Sequence, residues 1–278
     1  MRSTVLAAHL PAILYVALTG YLRMTGIMRV SRDTVCYDEP SEKTEDSNMK
    51  KYEADKTVDV NGVTLHYAEC GEGRPVVLIH GNAEDHNLFG TVIGQLTAAG
   101  YHVYAPDSRG HGANVPLSEY HYADMAEDIY QFINAIGLEK PALYGHSDGG
   151  IIALLIELNH PGTLGIMAVS GTNLKPEGII PSFIEEYTEL NRKKPDPLIT
   201  LMLTEPHIDP KSLAAISIPV LVTAGDADLI LPEETWLLAE SLPNSTLVFV
   251  KDADHGSYIV NSEIMGGMLI KFLDDDWK

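Results

Sequence analysis

The chain has 278 residues, enough for one large α/β domain with a sizeable core, and its 45% hydrophobic and 21% charged content is that of a globular protein, not of a disordered or collagenous one. A formal net charge of -20, from 19 Lys and Arg against 39 Asp and Glu, repels phosphate backbones; with no basic patch in view, this excludes nucleic acid as a partner. The 2 cysteines, Cys36 and Cys70, make no disulfide framework, and the 11 histidines have no HExxH or CxxC companions that would mark a metal site.

From Ser3 to Leu22 no residue is charged and most are apolar. Roughly 20 such residues can cross a bilayer. Arg2 precedes the segment, whereas Arg23, Arg29 and Arg32 follow it, so the positive-inside rule would leave the downstream domain in the cytoplasm. Three readings stay open: a membrane anchor through residues 3–22, a cleaved signal for export, and a stretch outside the working protein. The last draws on residues 36–48, an acidic and polar linker without periodicity, and on Met49, which could be the start of translation. The domain organisation expected is therefore residues 1–48 apart, followed by a catalytic-size domain at 49–278.

Within that domain, residues 56–69 alternate apolar and polar around Asn61-Gly62, the signature of a hairpin. Residues 75–79 form an unbroken apolar run, as in a strand buried on both faces. Residues 87–99 carry Leu88, Val92, Leu96 and Ala99 at helical spacing, then 101–107 reads as a strand. Residues 124–136 place Met125, Ile129, Phe132, Ile133 and Ile136 on one helical face, with Gly137 as the stop. Strands follow at 141–146, 164–170, 218–225 and 246–252, separated or followed by helices at 151–160, 232–242 and 263–273. A hairpin followed by this alternation predicts a doubly wound, mostly parallel sheet with helices on both faces. The alternation breaks once, at about 172–217, where two short helices separated by Lys193-Lys194-Pro195-Asp196-Pro197 predict a lid over the carboxyl ends of the strands.

The run Gly145-His146-Ser147-Asp148-Gly149 sits between a buried strand and an apolar helix. A sharp turn there needs flanking residues without side chains and lifts the Ser147 hydroxyl above the sheet edge, so Ser147 is the candidate nucleophile. A serine needs a base, and the base needs an acid to orient it. His255, past the last strand, is the candidate base; Asp226 and Asp228, past the preceding one, are the candidate acids, and Asp228 has more room to swing toward the His loop. The backbone N–H groups of Asp148 and Asn82 are the expected oxyanion donors. His80 and Gly81 read as turn formers.

His80-Gly81-Asn82, the Asp107–Gly112 loop, Gly145–Gly150, Gly225–Asp228 and Asp252–Gly256, in that order, resemble the α/β-hydrolase superfamily over about residues 57–273. Within it the elbow is similar to those of short-lidded serine esterases. The resemblance implies an α/β-hydrolase fold, no cofactor, an acyl-enzyme intermediate and a small-molecule ester substrate. It leaves open carbon–carbon bond or lactone hydrolysis by the same triad, and a non-catalytic ligand-binding protein on the same scaffold. A serine at the elbow speaks against the epoxide hydrolases and haloalkane dehalogenases, whose nucleophile is a carboxylate. Asp107 and Arg109 are expected to lock their loop, and His146 and His111 to line it or the pocket. Phe183, Tyr187, Leu201 and Met202 would line a modest acyl pocket or simply pack the lid, and Asp148 is one candidate to pair with an amine on a substrate.

Overall fold

Asn61 and Gly62 both take positive φ, 45° and 77°, the backbone a two-residue hairpin turn requires. They join β1 (Glu53–Val60) to β2 (Val63–Cys70) as an antiparallel pair. The computed structural model describes residues 53–277; the apolar segment at 3–22, the linker at 36–48 and the alternative start at Met49 lie outside the described residues. Among the described residues no helix is long and apolar enough to cross a membrane.

Six further strands follow: β3 (Arg74–Ile79), β4 (Tyr101–Pro106), β5 (Ala142–His146), β6 (Ile166–Ser170), β7 (Val220–Gly225) and β8 (Ser245–Val250). They complete an eight-stranded sheet of order β1-β2-β4-β3-β5-β6-β7-β8, antiparallel at the β1/β2 and β2/β4 pairs and parallel elsewhere. This is the expected mostly parallel sheet. The chain steps one way from β3 to β4 and the other way from there to β5, so the order reverses between β3 and β5. Open α/β sheets leave a crevice at the carboxyl ends of the strands where this happens.

Helices α1 (Gly90–Ala98) and α7 (Ile264–Asp276) cover one face; α2 (Tyr122–Ile136), α3 (Asp148–Asn159) and α6 (Pro232–Ser241) cover the other. The unbroken apolar run of β3 follows from this layering. Val76 and Leu78 point into the core under α1 and α7, whereas Val77 and Ile79 point into the core under α2 and α3. Helix α2 ends at Gly137, which takes φ 75° and returns its N–H to Ile133 and Asn134.

Several boundaries shift by one to three residues from the periodicity, and two of the shifts have a visible cause. The helix expected over 87–99 begins at Gly90, because Asp85 caps a separate tight turn at His86–Phe89 by accepting from the Asn87 N–H. The helix expected from Asp124 begins at Tyr122, whose N–H is accepted by the Glu205 carboxylate. Between β6 and β7 the described residues hold no strand, only short 3-10 turns and two helices, α4 (Pro181–Lys193) and α5 (Pro197–Thr204). Both begin with Pro at the first helical position, where its missing N–H costs nothing. Asp196 caps α5 by accepting from the Leu198 and Ile199 N–H groups.

The α2 face has one clear anchor. Phe132 is fully buried and meets Tyr67 edge-on at 5.1 Å between ring centroids. Phe132→Ala is expected to destabilise the domain by about 3–5 kcal/mol through lost transfer energy and a cavity, read as a lowered urea midpoint at unchanged slope.

Candidate active site

β5 ends at His146 and α3 begins at Asp148, so the whole change of direction falls on Ser147. Its φ of 52° and ψ of -115° lie in a region that non-glycine residues rarely occupy, at a cost of about 1–3 kcal/mol. Close approach enforces the turn: a Cβ on Gly145 would strike the Gly149 carbonyl, and one on Gly149 would strike the Ile79 carbonyl at the end of β3. The Ser147 N–H donates to the Ser170 carbonyl over 2.8 Å, which ties the turn to β6.

His255 comes from the loop after β8. Its Nε2 stands 3.1 Å from Ser147 Oγ, and its Nδ1 stands 2.7 Å from Asp228 Oδ1. An ionised carboxylate only accepts, so Nδ1 carries the proton and Nε2 is the acceptor facing the hydroxyl. Asp228 is itself held, accepting from the Ile230 N–H at 2.9 Å and the Gly225 N–H at 3.2 Å. The other candidate acid, Asp226, is exposed, and its backbone N–H is spent on the Val250 carbonyl. Of the two, Asp228 alone reaches the imidazole.

The Gly81 N–H donates to the Glu84 carboxylate at 2.8 Å, so the next amide, that of Asn82, is the open one in the loop after β3. No described residue accepts from it. Asp148 opens α3, where the N–H has no acceptor inside the helix. The side chains of these two residues do something else. Asn82 Nδ2 donates to Asp148 Oδ2 at 2.9 Å and to the Leu198 carbonyl of α5 at 3.2 Å. Tyr122 Oη donates to Asp148 Oδ1 at 2.7 Å. Burial raises the Asp148 pKa, and the bonds from Tyr122 and Asn82 work against that rise. With both oxygens occupied and 5% of its surface exposed, Asp148 is not placed to meet a substrate amine, contrary to that expectation.

The histidines and charges around the site act mainly as framework. His80 Nδ1 donates to the Gly81 carbonyl at 2.8 Å while its Nε2 accepts from the Ser108 N–H at 2.9 Å. Burial, with His111 adding to it, pushes its pKa down to about 4. His146 lies 4.8 Å from the His255 ring and is held well below its usual value, first by burial and then by His255. Asp107 gathers His86 and the Ala113 N–H, and these bonds outweigh its burial and keep its carboxyl low. Arg109 forks onto Asp128 of α2, so it fastens the loop to a helix and not only to itself. Among the expected pocket residues, Leu201 is buried in the core, and Phe183 stacks on Tyr187 at 4.1 Å. Sequence reasoning missed Tyr122 and Glu84; the only signal for Glu84 was the Gly81-x-x-Glu84 spacing, in which an acid reaches back to an amide three residues earlier. Among the described residues no group of three or more His, Cys, Asp or Glu is arranged to hold a metal ion.

Comparison with known proteins agrees with the fold. Residues 74–192 match the family described as the α/β hydrolase fold. The chain is 27% identical over 255 residues to the AB hydrolase superfamily protein YisY of Bacillus subtilis (strain 168), covering 76% of this chain and 95% of that one. It is 32% identical over 131 residues to the 2-hydroxy-6-oxo-6-phenylhexa-2,4-dienoate hydrolase of Comamonas testosteroni, covering 45% of this chain and 46% of that enzyme. The solved esterase EaEST from Exiguobacterium antarcticum superposes with a TM-score of 0.71 at 20% identity, over 80% of this chain and 100% of that one. Over residues 74–192 the chain thus matches the α/β-hydrolase family, and its sheet and helices have the α/β-hydrolase fold.

The buried His80 sets a pH dependence. Below pH 6.5 the unfolded imidazole takes a proton that the native one refuses until about pH 4, so stability present at neutral pH is lost as pH falls through that window. The unfolding free energy from urea titrations is expected to fall between pH 7 and pH 5 by on the order of 2 kcal/mol from this group, and His80→Gln to flatten that slope.

Proposed function

We propose that the protein is a serine hydrolase cleaving small carboxylic esters through an acyl-enzyme intermediate. The observation that carries the reading is the line from Asp228 through His255 to Ser147, at 2.7 Å and 3.1 Å, ending on a serine held at positive φ. Ser147 Oγ attacks the ester carbonyl as His255 Nε2 takes its proton. The carbonyl oxygen becomes an oxyanion facing the Asn82 and Asp148 N–H groups. Collapse expels the alcohol, protonated by His255, and leaves the acyl group on Ser147. Water, activated by His255, repeats the sequence and releases the acid.

In this reading residues 172–217 act as a short lid. The contact that supports it is the bond from the Asn82 side chain to the Leu198 carbonyl, which sets α5 against the loop bearing the proposed oxyanion donor. A second reading, hydrolysis of a carbon–carbon bond by the same residues, draws support from the partial match to the dienoate hydrolase. A ligand-binding protein without turnover is disfavoured by a hydroxyl, imidazole and carboxylate already at hydrogen-bond distance.

A fluorophosphonate probe is expected to label the protein at Ser147 and to fail on Ser147→Ala. Short p-nitrophenyl esters are expected to be hydrolysed, and vinylogous diketones to be left intact. Asp228→Asn is expected to lower kcat on the ester by about 10²–10⁴-fold, since the imidazole loses its orienting acceptor. Turnover of the diketone with none of the ester would replace this reading by the second, and an unlabelled wild type would remove both.

A further inference from the structure

We infer that Glu84 sets the charge preference of the Ser147 site, favouring esters that carry a cationic group and rejecting those that carry a carboxylate. The inference deepens the ester-hydrolase reading and rests on it. Glu84 lies two residues beyond Asn82 and is held in place from both sides. Its Oε2 accepts from the Gly81 N–H at 2.8 Å, and its own N–H returns to the Gly81 carbonyl at 3.4 Å. A Cβ placed on Gly81 would lie 2.8 Å from that Oε2 and 3.0 Å from Ser147 Cβ. The carboxylate and the nucleophile therefore flank the same glycine.

Glu84 differs from the other acids of the site in what it has left over. Asp228 spends its oxygens on His255, Ile230 and Gly225, and Asp148 spends its own on Tyr122 and Asn82. Glu84 Oε1 has no partner among the described residues, and no Lys or Arg there forms an ion pair with Glu84. The residue as a whole is half-buried. Its surroundings add the same sign: Asp148 and Asp85 both act on it as negative neighbours, and His255 is the opposing group. A fixed negative charge that shares a glycine with the nucleophile repels a second carboxylate and attracts an ammonium, by about tenfold for each at a half-buried position. The amine-pairing role considered for Asp148 thus falls to a neighbouring acid with an oxygen to give.

The test compares kcat/KM for three p-nitrophenyl esters of matched length at pH 8: a neutral straight-chain acyl ester, the half-ester of the corresponding dicarboxylic acid, and an analogue ending in trimethylammonium. The wild type is expected to prefer cationic over neutral over anionic, by about tenfold at each step. Glu84→Gln keeps an acceptor for the Gly81 N–H and is expected to shrink both ratios to within about threefold. Neutral turnover with the same ratios in wild type and variant would overturn the role of Glu84 alone. If the variant does not fold, the wild-type ratios decide: equal rates on the anionic and neutral esters overturn it. Absence of hydrolysis on all three esters would remove the ester reading, and this inference with it.

Discussion

The carbonyl of Ile79, at the end of β3, lies against Gly149, in the first turn of α3, too closely for any side chain to stand between them. That contact is possible only because β3 and β5 are neighbours at the point where strand order reverses. The crevice left by the reversal is where two carboxyl-end loops can face each other without an intervening crossover. One carries His80, Gly81 and Asn82; the other is the elbow at Ser147. The positive φ of Ser147 is then not an isolated strain. The fold overdetermines it, since β5, β6 and the start of α3 fix both sides of the turn.

The same approach explains a buried acid next to Ser147. A carboxylate at Asp148 would be costly in that core without donors, and it has two, from Tyr122 and Asn82. Asn82 uses its second amide hydrogen on the Leu198 carbonyl at the start of α5. At the far end of α5, Glu205 accepts from the Tyr122 N–H and from His121. The insertion is therefore fastened at both ends of one helix, and both fastenings lead back to Asp148 through Asn82 or Tyr122. Helix α4, by contrast, has no buried residue and hangs on its contacts with α5. Movement of the insertion would be easiest there, where few apolar contacts oppose it.

Much of this could be read from the chain because it is local. Strand and helix follow from periodicity, and the elbow from five consecutive residues between a strand and a helix. His255 follows from being the single histidine after His207. The choice between Asp226 and Asp228 was also local, a matter of reach after β7. What the sequence hid is non-local: the partners of Asp148 lie 26 and 66 residues away, so its carboxylate looked free to meet a substrate. The start of α1 was hidden for a related reason, since the tight turn before it is pulled toward Asp107 by His86, 21 residues off. Glu84 is hard to read because its partner is a backbone amide, for which the three-residue spacing from Gly81 is the only sign.

The charges around His255 then form a consistent arrangement. His80 and His146, the imidazoles closest to the elbow in sequence and fold, are kept neutral by burial. No Lys or Arg among the described residues pairs with Asp228, Asp148 or Glu84. Formal charge on the residues around the imidazole is therefore negative. In the proposed reaction the oxyanion of the tetrahedral intermediate would have no Lys or Arg among the described residues to meet it. That charge would be met by backbone N–H groups and by the positive end of α3, whose dipoles are fixed before substrate arrives and need no reorganisation. In that reaction a site built this way would separate its two developing charges by geometry alone: side-chain carboxylates on the imidazole side, peptide dipoles on the carbonyl side. Glu84 stands at the boundary between them, bonded to the Gly81 amide that precedes the proposed oxyanion donor, and so weighs on whichever charged group a substrate brings there.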